Sequence, residues 1–204
     1  MKTSMKALTL VLCAVLLVCA SVMGTLAYLK STTDVVKNTF TVGNVVITLD
    51  ETDVDEYGAK DTENRVTANT YKLIPGHTYI KVPVIHIQEG SEACYVFVRV
   101  VDELAKIEDT STVAEQMTAN GWAQLPDLDG IDVENIWYKA TAIDARAAAV
   151  DVAVFGTFTV AGTADVSAYA NKTITVQAYA VQADGFASAV AAYTAAPCTW
   201  GAKA

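Results

Sequence analysis

The amino-acid sequence predicts an all-β protein, an antiparallel β-sandwich of eight to ten short strands with two small helices. Three observations predict this fold class. Apolar and polar residues alternate with a period of two over most of the chain. Polar, glycine-containing turns separate these segments, and the strand–helix alternation of a parallel sheet is missing from the pattern. The sequence also has neither an internal repeat nor a linker, so we expect one domain over residues 39–204.

The N-terminus has the pattern of a secretory signal peptide. Two lysines precede an uncharged, mostly apolar run over residues 7–23, and a small residue follows at Ala27. We expect signal peptidase to cleave before Tyr28, which makes residues 1–27 the signal and the mature protein extracellular. An uncleaved membrane anchor is the alternative, because the uncharged run continues to Leu29 and is long enough to cross a bilayer.

The mature chain is strongly acidic. The sequence contains 14 basic and 23 acidic residues, and the signal removes Lys2 and Lys6, so 12 basic residues against 23 acidic ones give a net charge of −11. This charge disfavours nucleic acid, whose phosphates would be repelled, and it disfavours binding to anionic lipid through a basic patch. The remaining 177 residues are enough for one sizeable core.

Strand character recurs along the mature chain. The predicted strands are 39–49, 71–74, 79–87, 93–101, 122–125, 136–142, 150–154, 155–160 and 173–181. The acidic stretch 50–56 predicts a solvated loop that runs to about Asn69, and a turn at Gly90 predicts that the strands on either side of it form a hairpin. In the last strand one face is predicted to carry Ile174, Val176, Ala178 and Ala180, and the other Thr175, Gln177, Tyr179 and Val181.

Helical patterns are short. The predicted helices are 109–120 and 186–195, and 145–149 is predicted to form a helical turn. The first has apolar residues at helical spacing, can be capped by Asp109, Thr110 or Ser111, and ends at Gly121.

The sequence carries few groups that could perform catalysis. Zinc-peptidase, serine-hydrolase and phosphate-loop motifs are missing from the sequence, and its histidines are His77 and His86. His77 sits beside a turn and is predicted to be exposed. His86 is predicted to be a core-edge residue, and its alternatives are a metal ligand or the partner of a Cys94 nucleophile. We therefore expect neither an enzyme nor a cofactor.

Two cysteines remain after the signal is removed. Cys94 and Cys198 could form one disulfide in an exported protein. The other interpretation is a buried free thiol, because Cys94 shares a strand face with three valines.

One acidic loop has the composition of a weak calcium site. Its carboxylates are those of Asp127, Asp129, Asp132 and Glu134, arranged around Gly130. The sequence lacks a full EF-hand loop, and Asp-Gly is also an ordinary turn. Both interpretations stay open.

The N-terminal region resembles proteins with SipW-dependent signal peptides, a group of Gram-positive exported proteins that includes TasA-like matrix proteins and camelysin-type proteins. The resemblance rests on 24–29 (GTLAYL), 38–44 (NTFTVGN) and 46–49 (VITL). Further segments are similar to clostridial members, namely 73–76 (LIPG), 90–98 (GSEACYVFV) and 173–186 (TITVQAYAVQADGF).

The resemblance implies a jelly-roll-like β-sandwich and a secreted structural protein of the cell surface or biofilm matrix. It implies self-association through the mature N-terminal segment 28–38, in which Tyr28, Leu29, Val35 and Val36 would belong to a strand added to a neighbouring subunit. An extracellular glycan- or protein-binding module that uses loops such as 127–134 is the alternative. Camelysin-type members also suggest a metallopeptidase, but the chain lacks a zinc motif.

Overall fold

The computed structural model describes residues 2–28 and 43–200, with side chains described for 5–19 and 43–200. Helix α1 spans Lys2–Tyr28, and its uncharged residues suit a continuous helix because few of them compete for backbone hydrogen bonds. The chain divides into two compact units, residues 1–41 and 42–204.

The second unit is built from short antiparallel strands. They are β1 (Ile47–Val54), β2 (Lys60–Val66), β3 (Thr78–Ile80), β4 (Pro83–Ile87), β5 (Ser91–Asp102), β6 (Ala123–Gln124), β7 (Ile136–Tyr138), β8 (Ile143–Ala145), β9 (Val150–Ala153), β10 (Thr157–Thr159) and β11 (Ile174–Gln182). Sheet I has the order β2-β1-β4-β9, and sheet II has the order β11-β5-β7-β6 with β8 also paired to β5. Strands β3 and β10 form a separate ribbon.

The two sheets pack face to face. Ile85 and Val152 of sheet I lie in one cluster with Val96, Val98 and Trp137 of sheet II. The predicted antiparallel, β-rich sandwich is thereby confirmed, and the jelly-roll strand order stays a prediction.

Short helices close the sandwich. Helix α2 (Val113–Ala119) begins at Thr112, whose side chain accepts from the Glu115 amide in a capping box, so the cap lies one residue beyond those predicted. Helix α3 (Ala189–Ala195) begins at Ser188, whose hydroxyl accepts from the Ala191 amide. Two 3-10 helices, Ala105–Ile107 and Val166–Tyr169, lie in the connections.

Strand β5 is buried on both faces, which gives the domain a third layer. Val96 and Val98 point towards sheet I. Tyr95 and Phe97 point the other way, into a cluster with Tyr193 of α3. The two predicted faces of β11 follow the same division and are confirmed, because Ile174, Val176, Ala178 and Ala180 pack in the first cluster while Tyr179 and Val181 pack in the second.

The acidic stretch predicted as a loop is largely strand, so that prediction was wrong. Residues 50–54 complete β1, and 60–66 form β2. The charges are tolerated because each face offers a partner: Asp50 bonds Arg65 on the outer face, and Glu51 bonds Lys81 on the inner face. Conversely, 71–74 is not a strand, since the Ile74 amide donates to the Tyr79 hydroxyl instead of to a neighbouring strand.

Two further predictions were wrong. Strands β4 and β5 do not form a hairpin, because β4 pairs with β1 and β9 whereas β5 pairs with β11, β7 and β8. The turn at Gly90 therefore carries the chain from sheet I to sheet II. Residues 145–149 do not form a helical turn, because Asp144 accepts hydrogen bonds from the amide and guanidinium of Arg146.

Replacing Gly58 with alanine is expected to lower the free energy of unfolding by about 2 kcal/mol. Gly58 has φ +73°, and an added Cβ would lie 2.7 Å from the Tyr79 Cα, so backbone would have to move. Gly90→Ala is the matched control, since its φ is +84° and an added Cβ would meet nothing within 4 Å. Urea unfolding should give the larger loss for Gly58→Ala; equal losses would contradict the close approach to Tyr79.

Candidate functional site

A groove of about 970 Å³ opens between the rims of the two sheets. One wall is the segment 49–51 of β1, and the opposite wall is 174–176 of β11. The loop 67–71, Val166 and the segment 169–173 complete the rim. Its floor is apolar, because Tyr79, Leu104 and Phe158 at the base are almost fully buried. A large, mostly apolar concavity with a few polar groups is the usual form of a binding site.

A buried ion pair lies in this groove. Lys81 Nζ donates to Glu51 Oε2 at 2.6 Å, and the two residues are 9% and 7% exposed. Asn69 Nδ2 donates to Glu51 Oε1 at 3.0 Å, so both carboxylate oxygens have donors. The ammonium group of Lys81 also lies 5.7 Å from the ring centroid of Tyr71. The pair is therefore neutral as a unit and well bonded, as a buried pair must be.

Tyrosine hydroxyls fix the groove wall. Tyr71 donates to the Ile80 carbonyl at 3.2 Å, and Tyr79 donates to the Lys72 carbonyl at 2.6 Å. Burial, with the Glu51 charge as a smaller cause, raises the pKa of Tyr71 far above its usual range, and burial also raises the pKa of Tyr79. Both phenols therefore stay neutral and act as structural donors, which makes the groove better suited to binding than to proton transfer.

Strand β11 lies beside the groove, and no other described strand pairs with its outer edge. It is the terminal strand of sheet II and pairs with β5 through residues that include Thr175 and Gln177. The amides of Glu103 and Ala183 bond Thr173 and Ala93 across this pair, so the odd-numbered residues of β11 point their backbone groups at β5. The even-numbered residues therefore direct their N–H and C=O groups outwards; they are Ile174, Val176, Ala178, Ala180 and Gln182.

The other sheet edges differ from this one. Strand β2 carries the sequence KDTENRV and exposes most of its residues, a composition that discourages edge pairing. Strand β9 has only four residues. Strand β11 has nine residues and no charge, with the sequence ITVQAYAVQ. Among the described strands, it is the edge best suited to accept another strand.

The residues predicted for signal cleavage and assembly lie at the limit of the described chain. Ala27 and Tyr28 lie at the end of α1. Leu29, Val35 and Val36 lie outside the described residues. The chain is described again from Gly43, and Asn44 accepts from the Glu92 amide at the start of β5.

The two cysteines of the second unit, Cys94 and Cys198, lie on opposite faces of sheet II. Cys94 packs between the sheets, and Cys198 packs against the α3 side. Both thiols are free, so the structure favours the buried-thiol interpretation over the disulfide. Burial raises the pKa of Cys94 to about 11, which keeps its thiol protonated and unreactive at neutral pH.

The acidic loop lines a second, open pocket of about 530 Å³. Asp127, Asp132 and Glu134 contribute to its wall, whereas Asp129 does not. All four side chains are exposed, and Asp132 accepts from the Glu134 amide, as in an ordinary turn. Within 5–19 and 43–200, no three His, Cys, Asp or Glu side chains are grouped so that they could hold a metal ion.

The histidines have partners that sequence spacing did not indicate. His77 is half-buried, rather than exposed, and its Nε2 lies 2.8 Å from the Tyr57 carbonyl oxygen. His86 lies between Asp50 and Asp151, which the sheet register brings to it from 36 and 65 positions away. His86 lies on the half-buried face of β4, between the buried Ile85 and Ile87, and only the strand order could supply its neighbours.

The fold and the groove define a class of protein: an antiparallel β-sandwich with a helical layer on one side and, among its described strands, an edge strand beside a groove. Comparisons with known proteins do not narrow this class, because no family model, no curated protein and no solved structure matches the chain. In the part of the chain whose side chains are described, no helix has both the length and the apolar character needed to cross a membrane.

Proposed function

We propose that this protein is a secreted structural subunit of a cell surface or biofilm matrix, and that its subunits polymerise by strand addition. The observation that carries the proposal is the outer edge of β11, with which no other strand in the described part of the chain pairs. An extended segment from a second copy would bond the outward main-chain groups of five alternate residues, from Ile174 to Gln182. An uncharged edge of this length is the kind that natural proteins pair or cover.

The proposed donor is segment 28–36 of the second copy. It has nine residues, the same number as β11, so it could pair along the whole edge, about 30 Å. Its apolar residues are at its ends, Tyr28 and Leu29 on one side and Val35 and Val36 on the other. Cleavage after Ala27 would separate this segment from the signal.

The groove would hold side chains of the incoming strand. It lies at the Ile174 end of β11, where an apolar end of the donor would come to rest in either strand direction. Leu49, Ile174 and Val176 would contact that end. The resemblance of the N-terminal signature to proteins with SipW-dependent signal peptides agrees with this proposal.

The test compares a chain that begins at Tyr28 with one that begins at Thr39. We expect filaments or oligomers from the first by electron microscopy and light scattering, and a monomer from the second, because only the first carries the donor. Adding a synthetic 28–36 peptide to the shorter chain should give a one-to-one complex. The donor proposal fails if both chains stay monomeric or if both polymerise equally.

A matched pair of proline variants tests the acceptor edge. Ala178→Pro removes one outward N–H of β11 without touching the β5 ladder, and should abolish assembly while leaving the melting temperature nearly unchanged. Ala153→Pro is the control, because the Val154 amide bonds Pro83 and the Ala153 N–H therefore points outwards from β9. Assembly that survives Ala178→Pro, or is lost equally in both variants, would contradict β11 as the acceptor.

A glycan- or protein-binding module is the second candidate. The pocket of about 530 Å³ bordered by loop 127–134 favours it, since exposed carboxylates could bond hydroxyl or cationic groups. A glycan and peptide array probed with the monomer that begins at Thr39 tests it. Retention that disappears in an Asp127→Asn, Asp132→Asn variant would support binding at this loop.

A further inference from the structure

The outer face of sheet I carries a four-residue charge network centred on His86. Its Nδ1 lies 2.6 Å from Asp151 Oδ1, and its Nε2 lies 2.9 Å from Asp50 Oδ1. The Arg65 guanidinium also donates to Asp50. Because these residues belong to β4, β9, β1 and β2, the network crosses all four strands of sheet I.

The hydrogen-bonding geometry around His86 requires a protonated ring. A neutral imidazole has one N–H and can donate to only one acceptor, whereas an imidazolium donates from both nitrogens. Each nitrogen of His86 faces a carboxylate oxygen at hydrogen-bonding distance. With His86 protonated, the two carboxylates, His86 and Arg65 sum to zero charge, whereas loss of the proton leaves a net negative charge and one carboxylate without its donor.

We infer that His86 is a proton-dependent clamp across sheet I: the protonated ring links β1 and β9 to β4 through Asp50 and Asp151, and this link weakens when the ring loses its proton. The groups that face the ring are Asp50 from β1 and Asp151 from β9, with Arg65 of β2 reaching it through Asp50. The neighbour of His86 on the same face of β4 is Val84, which does not titrate. This inference does not depend on the proposed assembly.

The direction of the pH effect follows from the network. Partial burial alone lowers the pKa of His86, but the hydrogen bonds and charges of Asp50 and Asp151 outweigh it and raise that pKa above 6.5. A raised folded-state pKa stabilises the fold fully below the unfolded value near 6.5, and this contribution disappears as pH rises through the folded value. For Asp50, burial raises the pKa, but the hydrogen bonds and charges of Arg65 and His86 outweigh it and lower the pKa overall. The stability that the Asp50 carboxylate contributes is therefore lost only when the pH falls through this lowered pKa.

The test measures melting temperature from pH 5.5 to 9 for the wild type, His86→Gln and His77→Gln. Glutamine keeps one donor but cannot be protonated. We expect the advantage of the wild type over His86→Gln to be largest near pH 6 and to shrink as pH rises, while His77→Gln follows the wild type. His77 is the matched control because its ring bonds a backbone carbonyl and not a carboxylate.

The comparison between variants also removes the contribution of Glu108, a second group that titrates near neutral pH. Burial, with the nearby charge of Asp102, raises the pKa of Glu108 to about 7, so Glu108 titrates in the same range in every variant. Taking differences between variants isolates His86. Parallel curves for wild type and His86→Gln from pH 5.5 to 9 would overturn the clamp.

A second variant keeps the inference testable if His86→Gln does not fold. The side chain of Asp151 is 68% exposed, so Asp151→Asn should leave the fold intact. It removes one charge that favours the imidazolium, and the midpoint of the His86 ring titration, followed by NMR, should move to lower pH. An unchanged midpoint would overturn the inference.

Discussion

Replacing Lys81 with methionine is expected to lower the free energy of unfolding by about 3–5 kcal/mol, because it leaves the Glu51 carboxylate buried without its counter-charge. The two groups are 2.6 Å apart and nearly inaccessible, so little water reaches the carboxylate to replace the lost ammonium. Urea unfolding monitored by circular dichroism measures the loss. The same variant should also change how the groove accepts a donor segment, since Lys81 lies in its lining.

The control for this prediction is an exposed ion pair of the same type. Lys60 bonds Glu63 at 2.8 Å, but the two side chains are 48% and 91% exposed, so Lys60→Met should cost less than about 1 kcal/mol. A double variant, Glu51→Gln with Lys81→Met, should recover part of the loss because it removes the unpaired charge. A Lys81→Met loss no larger than the Lys60→Met loss would show that the pair is effectively solvated.

Replacing Phe97 with alanine is expected to cost about 3–5 kcal/mol and to loosen the helical layer. Phe97 is fully buried, and its ring centroid lies 4.9 Å from that of Tyr193, 6.1 Å from Tyr179 and 6.4 Å from Tyr138. Its loss would leave a cavity between sheet II and α3. Trp200 reports on this layer because its indole N–H donates to the Tyr193 hydroxyl, so its fluorescence should shift towards that of exposed tryptophan.

Two control variants distinguish the cost of a cavity at Phe97 from the cost of removing any aromatic ring. Phe97→Leu keeps most of the volume and should cost roughly 1 kcal/mol. Tyr57→Ala removes an aromatic ring that is 41% exposed and should cost much less than Phe97→Ala. If Phe97→Ala costs no more than Phe97→Leu, the layer between sheet II and α3 repacks without a cavity.

The groove and the edge are neighbours for a structural reason. Strand β11 ends sheet II, and β1 lies in sheet I, so the space between them is lined by the β3–β10 ribbon, the 3-10 helix Val166–Tyr169 and loops. The buried Glu51–Lys81 pair holds one wall through Asn69, which also accepts from the Val54 amide. The site is therefore preformed by the fold, which lowers the entropy that a bound strand would have to lose.

Part of this site could be predicted from the sequence. The alternation in β11 correctly placed Ile174 and Val176 on one face and Tyr179 on the other, because a period of two is a local property of a strand. The same alternation could not show that β11 is an edge strand, since β5, its only partner among the described strands, lies about 80 positions away in sequence. The groove depends on that pairing and could not be predicted either.

The failures have a common cause. The acidic stretch was predicted to be a loop because charges are usually solvated, but Arg65, Lys81 and His86 provide partners once β1, β2 and β4 are side by side. The predicted hairpin failed because two adjacent strands separated by a short turn can pair with each other or enter different sheets. The burial of apolar side chains decides between these outcomes, because β5 is buried on both faces and lies inside sheet II.

The sequence by itself determined the local properties of this protein: the alternation of its strands, the capped helix near residue 113, its glycine turns, its acidic charge and its N-terminal signal pattern. Only the tertiary structure decided which of the described strands pair, which strand lies at the edge of each sheet and which charges meet. The physical reason is the distance along the chain over which each effect acts. Backbone preference and periodicity act over a few residues, whereas strand order depends on packing between residues that are far apart along the chain.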